Sequence, residues 1–452
     1  MNILNQFKKS SKIALIQNNK HISFNDLLDK GLCFGGYLSQ SGISKGDAVL
    51  IFIPLSIQLY QAMIGAWTIG AVPIFVDFSR GVQFVNESVD RLNPKGVIYD
   101  RITRLAGIKY PSLKKIKALN IWAKGKSTPI IKLNPEHPAI LTFTSGTTGI
   151  PKTVIRSHGF LIAQYKLLTK YLDFSQNHID FATLAVFTLA NLASGLTTVL
   201  PNKHYNTKVA PKVLAKLIEK EQVTRLICSP KLITDLIIHN SLKTVTTVYL
   251  GGAPVYPSVI SQIPKHITVH IVYGSTEAEP IAHLNTTEIK EEELEKIKKG
   301  YGLLVGHIVS EITCKIGVNN EIFVKGKTVL AKSGAGSWHP TGDTGFFDEQ
   351  NRLWLTGKVT QTIRDDYGIL HPFAVECVLD SYFGIRGAVL KLDGKRVVVI
   401  SQRGPNEKQI LAVLSSFYIE RVIIIPHLPM DKRHGAKIDI QRVKQLIENI
   451  EI

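Results

Sequence analysis

The sequence predicts an α/β protein: a large N-terminal domain with doubly wound mixed sheets, then a small α+β C-terminal domain. Three observations carry this expectation. Short apolar strands alternate with helical stretches to about residue 285, the pattern of sheets wrapped by helices. From about residue 303 the texture changes to short strand-like segments with turns at Gly and at "DEQN", as in antiparallel hairpins. The length, 452 residues, is too great for one ordinary core. The boundary falls near Thr356–Thr360, giving domains 1–356 and 357–452.

The elements follow in order. In "HISFNDLLDKGLCFGGYLSQSGISKGDAVLIFIP", Ser23 to Asp26 offers a helix start, Gly42 stops the helix, and a buried strand follows a turn. "QLYQAMIGAWTIGAVPIFVD" repeats the scheme, with Gly70 as the stop and a strand ending at Asp77. "PKGVIYD" and "VTRLICSP" are further short strands. "VTTVYLGGAPV" and "ITVHIVYGSTEAEPI" are strands that run into Gly-rich or polar loops. Doubly wound sheets bind ligands beyond the carboxyl ends of their strands, where "GGAP" and "YGSTE" fall. The charge run "TTEIKEEELEKIKKG" reads as a solvated helix or loop. Later, "EITCKI", "EIFVKGKTVL", "TGFFDEQNRLWLTGK" and "AVLKLDGKRVVVISQRG" read as antiparallel strands.

Composition narrows the class. The chain is 44% hydrophobic and 20% charged, as in globular proteins. Its net charge of +18 is either a solvated basic surface or a preference for an anionic partner: a nucleotide, an acidic carrier protein, nucleic acid or a membrane surface. The lysines are spread out and no nucleic-acid motif occurs, so a nucleic-acid partner is not expected. Four distant cysteines form neither a metal pair nor a disulfide framework, which suits a reducing compartment. The N-terminus lacks the pattern of a signal peptide, and the apolar runs are too short to span a bilayer. A cytoplasmic protein without a transmembrane segment is the expectation.

The stretch "LTFTSGTTGIPKTVIRSHGFL" is the most pointed. Thr144, Ser145, Gly146, Thr147, Thr148 and Gly149 follow the strand-like "AILTF", and Lys152 comes just after. Glycines let a backbone turn tightly and bring its N–H groups to an anion, hydroxyls add donors, and the lysine adds charge. It is not the standard P-loop, because Ile150 and Pro151 separate the second glycine from the lysine. A polar turn without a ligand is the plainer alternative.

"TSGTTGIPK" resembles the phosphate loop of the adenylate-forming superfamily of acyl-CoA synthetases, luciferase-like enzymes and peptide-synthetase adenylation domains. "GGAPV", "YGSTEAEP", "NEIFVKG", "TGDTGFFDEQNRLWLTGK" and "LPMDKRHGAK" resemble its other motifs, in order, over nearly the whole chain. The resemblance implies that an ATP-dependent enzyme makes an acyl-adenylate from a carboxylic acid and releases pyrophosphate. By it, Thr144 to Gly149 and Lys152 would hold the β- and γ-phosphates. Thr276 would bond the α-phosphate and Glu277 would bind Mg²⁺. Tyr273 would stack on adenine, beside Gly274, with Gly252, Ala253 and Pro254 lining the other side. Asp343 would accept both ribose hydroxyls, as an acceptor-only group can. Lys437 would be the catalytic lysine, with Arg433 and His434 nearby. The C-terminal domain would be a mobile lid.

The chain departs from the family pattern at the hinge. Lys358 stands where Arg is usual, Thr360 where Asp is usual, and Arg364 where Lys is usual. Arg and Lys differ in fork geometry, which weakens a nucleotide contact from Lys358, and a departing hinge weakens the CoA step, because the resemblance implies that the C-terminal domain rotates about it before thioester formation. "DKRHGAKI", "GIL" and "VYGSTEAEPI" are similar to the β-lactone synthetase branch of bacterial olefin biosynthesis. That branch activates a long-chain 3-hydroxy acid and closes it on its own hydroxyl without CoA. "FATLAVFTLANLASGLTTVLP" is either its acyl-pocket segment or a buried helix. The alternatives are an acyl-CoA or acyl-carrier-protein ligase, and a non-catalytic nucleotide- or acyl-binding homologue. An acidic acyl carrier protein would suit the basic surface.

Overall fold

The computed structural model describes residues 1–145, 151–175, 177–201, 210–331, 336–401, 405–430 and 437–448. The chain forms two compact units. The first holds Met1–Ile227 with Lys243–Val245; the second holds Cys228–Leu242 and Thr246–Ile452.

The first unit contains a six-stranded sheet. Its strands run, in order, Lys117–Asn120, Gly96–Tyr99, Ala48–Phe52, Val72–Phe75, Pro138–Ser145 and Pro151–Ser157. All neighbours are parallel except the last two. Helix Phe24–Gln40 starts as the sequence predicts, with the Ser23 side chain accepting from the Asp26 N–H, and Gly42 turns the chain at φ +80°. Helix Ile57–Thr68 packs on it through small residues. An added Cβ at Gly31 would lie 2.2 Å from Ile64 Cγ2, so only glycine lets the helices approach this closely. Gly70 (φ +72°) leads into strand Val72–Phe75, which ends two residues before Asp77. The glycine-rich loop joins two antiparallel strands in which Thr144 pairs with Lys152 and Ser145 with Pro151. Gly146 to Gly149 lie outside the described residues.

The first unit's other described strands are Arg225–Cys228, whose last residue is counted with the second unit, Ile179–Ala182, Thr197–Val199 and Ile13–Gln17, all parallel, with Lys20–Ser23 antiparallel at the edge. The segment 181–201 contains helix Ala185–Ser194, whose side chains from Phe187 to Ala193 are buried. Beneath lies a closed polar network. Arg225 Nε donates to Asp180 (3.0 Å) and its Nη2 to Asn191 (2.7 Å). Asn191 in turn donates to Asp180 (2.5 Å) and Thr198 (2.9 Å).

In the second unit, strands Thr247–Gly251 and Thr268–Ser275 are parallel. From there an antiparallel run continues through Ala278–Asn285, Leu303–Ile308, Leu353–Lys358, His339–Phe347, Glu321–Gly326 and Ile312–Ile316. The fold is thus α/β with mixed sheets. The charge run forms helix Glu291–Lys298. It is not wholly solvated: Glu293 is buried, and Arg352 donates to it at 2.7 Å and to Asp348 at 2.8 Å. Burial alone would raise both carboxyls, but the hydrogen bonds they accept outweigh it and hold them below their ordinary values.

The C-terminal part is α+β. Strand Lys395–Ser401 lies antiparallel to Gly387–Leu392 and parallel to Arg421–Ile425. Alternate residues feed two apolar clusters: Val389, Val398 and Ile400 join one, Leu390, Val397 and Val399 the other. Helices Pro372–Phe383 and Glu407–Val413 supply residues to the first, and Ile440–Glu448 to the second. Among the described residues no helix is long and apolar enough to cross a membrane.

Candidate active site

The site grows from two strand ends. Strand Thr247–Gly251 stops at two glycines with different tasks. A Cβ on Gly251 would lie 2.7 Å from the Val272 carbonyl oxygen of the neighbouring strand, and Gly252 turns at φ +78°. The turn carries Ala253 and Pro254 onward. The adjacent strand delivers Tyr273 and Gly274 before its register with Ala278–Asn285 shifts.

The antiparallel part supplies the polar floor. Asp343 and Lys358 face each other across paired strands. Lys358 Nζ lies 2.5 Å from Asp343 Oδ1, and the Tyr273 hydroxyl donates to Oδ2 at 2.9 Å. Burial, and then the charge of Asp343, push the Tyr273 phenol well above its ordinary value, so it remains a neutral donor. Each carboxylate oxygen has two acceptor positions, so this pairing leaves Asp343 able to accept further hydrogen bonds. Lys437 is exposed and sits beside the Met430–Ile438 β-bridge, which ties down the backbone next to it.

These residues converge on one cavity of about 190 Å³. Gly252, Ala253, Pro254, Tyr273, Gly274, Asp343, Lys358 and Lys437 all line it, with apolar walls from Ile271, Leu303, Val305 and Leu355. An apolar slot with a few convergent polar groups suits a planar base carrying a polar sugar. Thr276 and Glu277 do not line the cavity. They form the turn between strands Thr268–Ser275 and Ala278–Asn285, where the Glu277 carbonyl accepts from the Leu330 N–H at 2.8 Å. Thr144, Ser145 and Lys152 belong to the first unit, and their side chains lie outside the described set, as do Gly146, Thr147, Thr148, Gly149, Arg433 and His434.

Glu277 is a single, partly exposed carboxylate at a strand end. Mg²⁺ is commonly held by one or two carboxylates plus substrate phosphates, so this donor fits that ion in company with a nucleotide.

Sequence reading missed one group in the wall. Glu376 and Arg386 also line the cavity. The Tyr256 hydroxyl donates to Glu376, while Arg386 lies 3.8 Å from Glu376 and 4.5 Å over the Tyr256 ring. Burial raises the Glu376 carboxyl, against the opposing pull of Arg386 and of the Tyr256 hydrogen bond. Beside it, Asp380 accepts from the Ser258 N–H at 3.2 Å. Tyr256 and Glu376 are 120 residues apart, and no motif or spacing links them.

The mixed α/β fold and this cavity suit a protein that binds a nucleotide. The profile of the AMP-binding enzyme family matches residues 5–331, and the chain belongs to that family. It is thus an adenylate-forming enzyme of the ligase and synthetase kind. It is 27% identical to the olefin β-lactone synthetase of Stenotrophomonas maltophilia, over 90% of this chain and 87% of that one. It is 24% identical to the olefin β-lactone synthetase of Xanthomonas campestris pv. campestris, over 82% and 77%. Among solved structures, the fold resembles o-succinylbenzoate-CoA synthetase from Bacillus subtilis in complex with ATP and magnesium ion. The TM-score there is 0.80, with 17% identity over 96% of this chain and 97% of that one.

Proposed function

We propose that the protein uses ATP to activate a fatty or 3-hydroxy fatty acid as its acyl-adenylate, and that the acid's own hydroxyl then closes a β-lactone. The observation that carries the first half is the convergence of Tyr273, Asp343, Lys358 and Lys437 on one apolar-walled cavity. The second half is supported by the likeness to the two β-lactone synthetases.

Each residue then has a task. Gly252, Ala253 and Pro254 line one side of the adenine slot, and the Tyr273 ring borders it. Asp343 accepts the ribose hydroxyls, oriented by Tyr273 and Lys358. The carboxylate oxygen of the acid attacks the α-phosphorus. A new P–O bond forms, and the bond to the pyrophosphate oxygen breaks. Negative charge gathers on the α-phosphoryl oxygens, where the Lys437 ammonium stabilises it and Thr276 donates a hydrogen bond. Thr144 to Gly149 and Lys152 hold the departing pyrophosphate. Glu277 would hold Mg²⁺, which when bound neutralises phosphate charge. In the second step the 3-hydroxyl oxygen bonds to the acyl carbon, AMP leaves, and the hydroxyl proton passes to solvent or base. Residues 357–452 act as a lid that carries Lys437, and the setting is the cytoplasm.

A thioester-forming ligase, using CoA or an acidic acyl carrier protein, is the competing outcome. Mass spectrometry separates them. Purified protein receives ATP, Mg²⁺ and plain or 3-hydroxy fatty acids, with and without CoA. A β-lactone and pyrophosphate without CoA support the proposal. A thioester formed only with CoA overturns the second step but keeps the first.

A further inference from the structure

We propose that the first unit docks on an anionic lipid bilayer through the end of its sheet that carries helix Arg101–Ala106, the turn Gly107–Lys109 and Trp122. The segment "RITRLAGIKYPSLKKIKALNIWAKGK" holds eight Lys or Arg and no Asp or Glu. Within it, large apolar side chains stand in solvent: Ile102 is 63% exposed, Leu105 70%, Ile108 61% and Trp122 49%.

The local structure fixes these residues outward. Asp100 caps helix Arg101–Ala106, accepting from the Ile102 and Thr103 N–H groups, and Thr103 closes the capping box. Ile102, Leu105 and Ile108 then recur every three residues through this helix and the 3₁₀ turn Gly107–Lys109, on one side. Gly107 lies against the Tyr99 ring, so the turn is anchored to the sheet below. Trp122 joins the same edge. Strands Gly96–Tyr99 and Lys117–Asn120 run parallel, and the Ile121 N–H bonds the Tyr99 carbonyl at 3.1 Å. The helix and Trp122 therefore emerge beyond the carboxyl ends of adjacent strands.

Apolar tips interleaved with cations of one sign match the interfacial layer of a membrane. Aliphatic chains and an indole sink to the acyl boundary, while guanidinium and ammonium groups meet lipid phosphates. The same face of a second copy would be equally basic and would repel it. An acyl substrate that partitions into lipid would reach such an enzyme there, but the docking itself does not depend on the reaction.

The test is co-sedimentation of the whole protein with phosphatidylcholine vesicles, with and without phosphatidylglycerol. Binding should require phosphatidylglycerol and weaken with salt. Leu105→Ser with Ile108→Ser should reduce it by at least about tenfold, because two apolar side chains lose their burial. Arg101→Glu with Arg104→Glu should reduce it by about tenfold or more. Both variants replace exposed residues, so thermal melting and pyrophosphate release should match the parent. Three results overturn the proposal: no phosphatidylglycerol-dependent binding, full binding by the Leu105→Ser/Ile108→Ser variant, or capture of an acidic carrier protein through this face without vesicle binding.

Discussion

Asp180 and Asp343 each meet a cation, and the two pairs behave in opposite ways. The Asp180 and Arg225 side chains are both 0% exposed and are saturated by each other, by Asn191 and by the Asp173 carbonyl. The Asp343 and Lys358 side chains are 18% and 42% exposed and border a cavity. In the first pair every polar atom is bound to protein, so the network can only hold strands together. In the second, the carboxylate and the ammonium stay open to the cavity. Burial and saturation, not residue type, separate a structural ion pair from one that is available for binding.

The largest effect expected is on the buried pair. Arg225→Met leaves Asp180 charged and without its partner, which should cost about 3–5 kcal/mol in urea unfolding. A loss below about 1 kcal/mol, the range of exposed pairs, would erase the contrast. Lys437→Ala should slow acid-dependent pyrophosphate release by about 10²–10³-fold while leaving the urea midpoint unchanged. Gly31→Val should destabilise by about 1–3 kcal/mol, since its side chain would overlap Ile64. Lys358→Met should move stability by less than about 1 kcal/mol. Its readout is instead the KM for ATP, which should rise with the loss of a positioned partner of Asp343.

The smallest effect is a pH term. Glu293 and Asp348 are held below ordinary values of 4.5 and 3.8. Groups depressed in the folded state contribute stability that is present above those ordinary values and lost as pH falls through the folded ones. Glu293→Gln should shrink the acid-side fall in melting temperature. An unchanged acid limb would contradict the role given to the Arg352 cluster.

What was legible in the sequence follows the range of the interactions. Ser23, Gly42 and Gly70 act within a few residues of themselves, and their tasks could be read directly. The candidate site was legible because motif residues carry a shared chemistry: Asp343, Tyr273 and Lys437 lie far apart in the chain and still line one cavity. Glu293 was read only as part of a charge run, because its partner Arg352 is 59 residues away. Asp180 and Arg225, 45 residues apart, gave no periodic or spacing signal either. The Tyr273–Asp343 hydrogen bond was likewise hidden, since the tyrosine was read as a stacking surface rather than as a donor.

On the proposed function, the Asp343 cavity binds the nucleotide on which an acid is activated. Acid-dependent exchange of labelled pyrophosphate into ATP tests it most directly, comparing the parent with Asp343→Ala. Exchange is expected with a fatty or 3-hydroxy fatty acid, with a rise of at least about tenfold in the KM for ATP in the variant. Exchange that is unchanged in Asp343→Ala, or absent with every acid of the panel, would contradict it.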